Sequence, residues 1–203
     1  MLATSVADLL TMQASGYKIK FLFFWGHQPQ LDGSIGPGCL SQWWPSPFEV
    51  DGLRFVTAEH YMMWSKARLF GDEATAAEIL EVDHPNLAKA LGRKVTPFDN
   101  TTWESERFGI VVAGNIAKFS QHADLRTYLF GTSNRVLVEA SPRDRVWGIG
   151  MGASNPDATD PARWRGQNLL GFALMRAREH LSTVDKPAGT EDIDWAPAPG
   201  AKS

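Results

Sequence analysis

Apolar residues fall along this chain in short blocks separated by dense punctuation. Lys18 to Trp25 reads KIKFLFFW, a β-prone aromatic run of the right length for a buried strand. Gly26 to Pro47 then carries Gly26, Gly33, Gly36 and Gly38 with Pro29, Pro37, Pro45 and Pro47, which predicts a long loop. Loops of about 20 residues are uncommon inside a domain and are more often functional than accidental. Phe48, Val50, Leu53 and Phe55 flank Asp51-Gly52, the pattern of a two-residue hairpin. Thr57 precedes AEHYMMWSKARLF, which predicts a helix from Ala58 to Phe70 ended by Gly71.

Further helices are predicted over Asp72 to Val82, Pro85 to Leu91 with Gly92 closing it, Thr102 to about His122, and Asp124 to Phe130. Arg135 to Glu139, RVLVE, reads as a strand feeding the glycine-rich, charged loop SPRDRVWGIGMG. A last helix follows in GQNLLGFALMRAREHL, with Gln167 and Asn168 at its polar start. Residues 1–17 are a lead-in, 18–181 the domain, and 182–203 a Pro- and acid-containing tail expected to be mobile.

The length of 203 residues fits one domain, and 43% hydrophobic with 21% charged residues suits a folded core. No apolar run reaches the roughly 18 residues of a membrane span, and MLATSVADLL lacks the basic start of a signal peptide, so the cytosol is expected. A single Cys39 fits a reducing compartment and excludes a cysteine-rich zinc cluster. A net charge of −3 disfavours general binding to duplex DNA, which is driven by release of counterions from phosphates. Eight Trp suit a pocket for a planar ligand, although Trp is also ordinary core material.

The densest chemistry lies on the helix after Thr57. Glu59 and Lys66 are two turns apart and share a stripe, with about 10 Å of rise between them, so both can face one ligand. Spacing alone fits a solvated acid and base on an exposed face equally well. CLSQWWPSPFEVDGLRFVTAEHYMMWSKA, however, resembles the NADAR family (YbiA-like), whose usual pattern is close to LSNFYPSPFxVDGxxYPTxEHYxQxxKA. KALGRKV, Trp103, Lys118-Phe119, LVEASPRDRVWGIG and GQNLLGFALMRAR extend the likeness, in family order, from about Phe23 to Leu181. Gln42, Trp43 and Trp44 depart from the family's Asn, Phe and Tyr, which bears on pocket shape.

The resemblance implies a single α+β domain, helix-rich, with a small β-sheet or hairpin, acting on N-glycosidic bonds. Two styles are implied: removal of ADP-ribose from guanine, including guanine in single-stranded DNA, or cleavage of phosphoribosylamino intermediates of the riboflavin pathway. A non-catalytic sensor of ADP-ribose is the third possibility. Glu59 and Lys66 match the family's catalytic Glu and Lys, and Trp103, Asp144 and Trp147 match stations linked to activity or binding.

Two routes are chemically open. A neutral Lys66 can attack the sugar C1 to form a Schiff base while Glu59 shuttles protons. Alternatively, Glu59 and Asp144 act as a carboxyl pair around an oxocarbenium ion, with Lys66 orienting groups. Trp25, Trp44, Trp103 and Trp147 are candidates to stack on a base, each against a core role, whereas Trp64, Trp164 and Trp195 read as core or incidental surface. Phe24, Trp25 and Gly26 end a strand at a loop, and His27 lies on the same rim. Ser41 and Gln42 can hold ribose or phosphate oxygens. Arg143, beside Asp144 and next to Trp147-Gly148, can meet a diphosphate. Asn168 either caps its helix or contacts ligand, and His60 points away from Glu59 and is expected to bond internally. No Walker loop, dinucleotide fingerprint or zinc spacing occurs, so neither metal nor cofactor is expected.

Overall fold

Ser5 opens the first element. Its hydroxyl accepts from the Asp8 N–H while the Asp8 carboxylate takes the N–H and hydroxyl of Thr4, a reciprocal cap that holds α1 (Val6–Ala14). This helix falls in the lead-in, residues 1–17, for which no element is predicted, and the Ser5-x-x-Asp8 spacing is its local signal. The computed structural model describes residues 3–184. Trp195 and nearly all of the expected mobile tail lie outside them.

After β1 (Phe21–Phe24), the Gly/Pro-rich loop does not stay on the surface. Its Pro37–Leu40 portion winds into a 3-10 turn whose Cys39 and Leu40 are fully buried. β2 (Phe48–Val50) and β3 (Leu53–Phe55) form the expected hairpin, with Asp51 at φ 52° and Gly52 at φ 77°, the two left-handed residues a tight turn of this hand needs. α2 (Ala58–Leu69), α3 (Glu73–Glu81) and α4 (Pro85–Gly92) follow within a residue or two of expectation. α5 (Asn100–Gln121) starts two residues early because Asp99 caps it, accepting from the Thr102 N–H. α6 (Ala123–Gly131), β4 (Val136–Glu139) and α7 (Leu169–Val184) complete the chain, with two further 3-10 turns at Pro156–Thr159 and Pro161–Arg163.

β1 and β4 pair in parallel, Phe21 opposite Val136 through Phe24 opposite Glu139, separately from the hairpin. α7 lies on β4, and α5 packs against both α7 and α2. Leu137, Val138, Phe172 and Leu174 are sealed in that layer, and Trp64 and Trp164 pack against the core. The approach is close because Gly171 has no side chain: a Cβ there would sit 2.0 Å from the Leu137 carbonyl oxygen. The result is α+β, dominated by helices, with very little sheet. Among the described residues no helix is long and apolar enough to cross a membrane.

Candidate active site

The helix period sets the site. Glu59, Met62, Met63 and Lys66 stand at i, i+3, i+4 and i+7 of α2 and share one face, which lines a cavity of about 310 Å³. Lys89 and Arg93, four residues apart at the end of α4, line it too, as do Trp103 and Arg107, four apart on α5. The remaining wall comes from Ser41, Gln42 and Trp43 of the long loop, Glu139 at the end of β4, and Asp144, Val146 and Trp147 of the loop that follows.

Two devices hold these pieces together. The Lys118 amine, fully buried, donates to the carbonyls of Cys39 (2.7 Å) and Ser41 (2.9 Å), and the Gln42 carbonyl accepts the Glu59 N–H at 3.0 Å. The loop is thereby registered against the first turn of α2. A neutral amine has two N–H groups, matching two carbonyls, and burial pushes the Lys118 pKa down to about 7. On the other side the Asn168 amide clips β4 to α7, its oxygen accepting from the Glu139 N–H and its nitrogen donating to the Leu137 carbonyl, both at 2.9 Å.

Burial dominates the electrostatics of these groups. Glu59 is almost wholly buried, and burial pushes its pKa up to about 7. Lys89, a hydrogen bond from the Trp43 side chain and Arg93 pull it back, while Asp144 pushes it further up. Glu139 is raised to about 8 by burial and then by the charges of Asp144 and Glu59. Asp144 has its Oδ1 tied by the N–H groups of Val146 (2.8 Å) and Trp147 (2.7 Å). Lys66 donates to the Gly92 carbonyl at 2.7 Å and lies 4.4 Å from the centre of the Phe98 ring and 5.5 Å from that of Trp103, and burial lowers its pKa. Glu59 Oε1, Glu139 Oε2, Gln42 Nε2 and Arg107 Nε are buried without any hydrogen-bond partner, which is costly unless a ligand supplies one. Among the described residues no three His, Cys, Asp or Glu side chains lie close enough together to hold a metal ion.

Of the residues singled out from sequence, the structure brings Glu59, Lys66, Asp144, Ser41, Gln42, Trp103 and Trp147 to this one cavity. Others lie elsewhere. Phe24 and Trp25 line a separate depression with Pro142 and Gly152, where Trp25 is 68% exposed, and Gly26 follows with φ 80°. His27 stands near the rim, its ring centre 5.7 Å from that of Trp43. Trp44 packs against the core, and Arg143 is exposed outside the lining. Gly148 is buried beneath the wall, where a Cβ would press on the Glu139 carbonyl oxygen at 2.8 Å. Asn168 spends its amide on backbone, and His60 bonds Thr57 Oγ1 at 2.8 Å. Sequence reasoning did not single out Lys89, Arg93, Arg107, Glu139 or Trp43 as site residues. Lys89 and Arg93 do fall in the KALGRKV stretch and Glu139 in LVEASPRDRVWGIG, both noted for their likeness to the family, and Lys89 with Arg93 and Trp103 with Arg107 stand at i, i+4.

The model of the NADAR domain matches residues 23–182. The chain belongs to the NADAR domain family. It is 42% identical over 165 residues to N-glycosidase R617 of Acanthamoeba polyphaga mimivirus, covering 79% of this chain and 95% of that one. It is 35% identical over 136 residues to N-glycosidase YbiA of Escherichia coli strain K12, covering 67% of this chain and 76% of the other. The NMR structure of E. coli YbiA superposes with a TM-score of 0.65 at 30% identity, over 83% of this chain and 88% of that structure. The NADAR match begins at Phe23, inside β1, and ends within α7, so it takes in every wall of the cavity.

Proposed function

We propose that this chain is a hydrolase of N-glycosidic bonds and that its substrate is ADP-ribose joined to the exocyclic amine of guanine, as nucleoside or in unpaired DNA. The observation that carries the reading is that Glu59, buried, and Lys66, half-buried, line the same cavity with Met62 and Met63 between them and Trp43, Trp103 and Trp147 in its walls. Neither is the solvated surface charge that their spacing also allowed.

A ribose on an exocyclic amine is a glycosylamine, which opens to an imine when its ring oxygen takes a proton. Lys66, whose burial favours the neutral amine, attacks C1 and forms a C–N bond. Proton transfer to the guanine nitrogen then breaks the old C–N bond and leaves a Schiff base on Lys66. Water adds to that imine, releasing ADP-ribose and the free amine. Glu59, with a pKa of about 7, is suited to give and take protons at neutral pH. Trp43, Trp103 and Trp147 offer faces for a purine, and Lys89, Arg93 and Arg107 offer charge for a diphosphate. At a net charge of −3, a modified single strand is engaged through its flipped nucleotide rather than its backbone. The expected partner is therefore an ADP-ribose-containing ligand, with no general affinity for duplex DNA and no requirement for a cofactor.

The test is incubation with ADP-ribosylated guanosine and ADP-ribosylated single-stranded DNA, beside Glu59→Ala and Lys66→Ala. Free ADP-ribose from the wild type alone is expected, with a borohydride-stable adduct on Lys66. Release without any adduct, and with Lys66→Arg still active, supports the carboxyl-pair route through Glu59 and Asp144. Cleavage of a phosphoribosylamino pyrimidine but not of the guanine adduct overturns the substrate assignment, and tight ADP-ribose binding without turnover overturns the enzymatic one.

A further inference from the structure

The backbone of Glu139 is held on both sides at the cavity wall. Its N–H is held by Asn168 Oδ1 (2.9 Å), its carbonyl accepts the Ile149 N–H (3.0 Å), and Gly148 packs on that carbonyl. Its Oε2, by contrast, is buried in the wall with no partner. Three carboxyls therefore line one small space: Glu59 from α2, Glu139 from β4 and Asp144 from the following loop. Asp144 accepts two backbone N–H groups, and its charge acts on both Glu59 and Glu139. Lys89 on α4 is the cation whose charge acts on both glutamates. Burial disfavours charge on both glutamates and the charge of Glu59 disfavours it further on Glu139, so the two are not both ionised together and a proton resides on the pair.

The chemistry requires two proton movements at C1, one onto the sugar ring oxygen and one onto the departing nitrogen. These atoms are both bonded to C1 but point apart, and one carboxyl on the same helix as Lys66 does not serve both at once. We propose that Glu139 is a second catalytic acid, which gives its proton to the ribose ring oxygen while Glu59 serves the nitrogen side. In that step the C1–O bond breaks, the nitrogen lone pair forms the C1=N bond, the ring oxygen leaves as a hydroxyl, and Glu139 becomes the carboxylate. It regains a proton when water hydrolyses the Schiff base and the ring closes. The assignment rests on the N-glycosidase reading above, and its test separates the two.

Glu139→Gln keeps the shape and a hydrogen-bond donor but has no proton to give. It should lower kcat about 100-fold or more with ADP-ribosylated guanosine, the usual range for removal of a general acid. ADP-ribose should bind as to the wild type, and the melting temperature should not fall. Isotope-edited infrared spectra of the free protein at neutral pH should show a protonated carboxyl band that Glu139→Gln removes. Wild-type kcat in Glu139→Gln overturns the proposal while leaving the activity standing. A substrate left uncut by the wild type overturns the activity, and the infrared band then still decides whether Glu139 holds the proton. Absence of that band from the wild type overturns the proposal by itself.

Discussion

Asn168 offers the sharpest separation of a structural from a ligand-binding role. It is fully buried, has φ 54°, and bonds two main-chain groups of β4 with its amide. Asn168→Ala leaves the Glu139 N–H and the Leu137 carbonyl buried and unpaired, at about 1–3 kcal/mol each. Alanine in the left-handed region adds roughly 1 kcal/mol, a strain that Asn tolerates better and Gly escapes. The total is about 4 kcal/mol, a large part of the roughly 5–15 kcal/mol that holds an ordinary domain. At about 2–4 °C per kcal/mol for a chain of this size, the melting temperature should drop by roughly 10 °C. Asn168→Gly should recover about 1 kcal/mol of the loss because only the strain is relieved. Urea unfolding followed by tryptophan fluorescence measures all three proteins. Stability of Asn168→Ala within about 1 kcal/mol of wild type would refute the clamp and return the amide to the list of possible ligand contacts.

Gly171→Ala should be more damaging still, since its new methyl would meet the Leu137 carbonyl at 2.0 Å and force α7 off β4; soluble yield and melting temperature report it, and a wild-type value refutes the close approach. Lys118 titrates near 7 when folded and at about 10.4 when unfolded, so between those values the unfolded chain holds the extra proton and stability rises with pH. The slope is at most about 1.4 kcal/mol per pH unit, and Lys118→Met should flatten it in denaturant midpoints taken at neutral and alkaline pH. Lys89→Met removes a charge that lowers the pKa of both Glu59 and Glu139, so the alkaline limb of kcat/KM should move to higher pH. An unmoved limb shows that neither acid limits the rate there.

Much of the molecule was legible in one dimension because its signals are local. The Asp51-Gly52 turn, Gly71 after α2 and Pro85 at the start of α4 each specify backbone geometry within a few residues. The pairing of Glu59 with Lys66 on one face followed from the helix period alone. α1 passed unnoticed because it is short, its signals being the cap around Ser5 and a narrow apolar side with Val6 and Leu9. The loop from Gly26 to Pro47 read as a long, functional loop, and its Ser41, Gln42 and Trp43 do line the cavity, but Gly and Pro report on backbone freedom and say nothing about which of its residues are buried. Cys39 and Leu40 are buried in the main core, and the Cys39 carbonyl there accepts from a lysine 79 residues away.

Sequence by itself determined the helices after β1, the hairpin, the face carrying an acid and an amine, and the family to which these belong. Only the tertiary structure decided that α4 and α5 bring Lys89, Arg93 and Arg107 to that same face, that Glu139 joins them from the end of a strand, and that Asn168 is committed to holding the strand in place. The physical reason is range: caps, turns and helical periods act over a few residues, whereas desolvation and hydrogen bonding between distant segments exist only once the chain has closed around a common space.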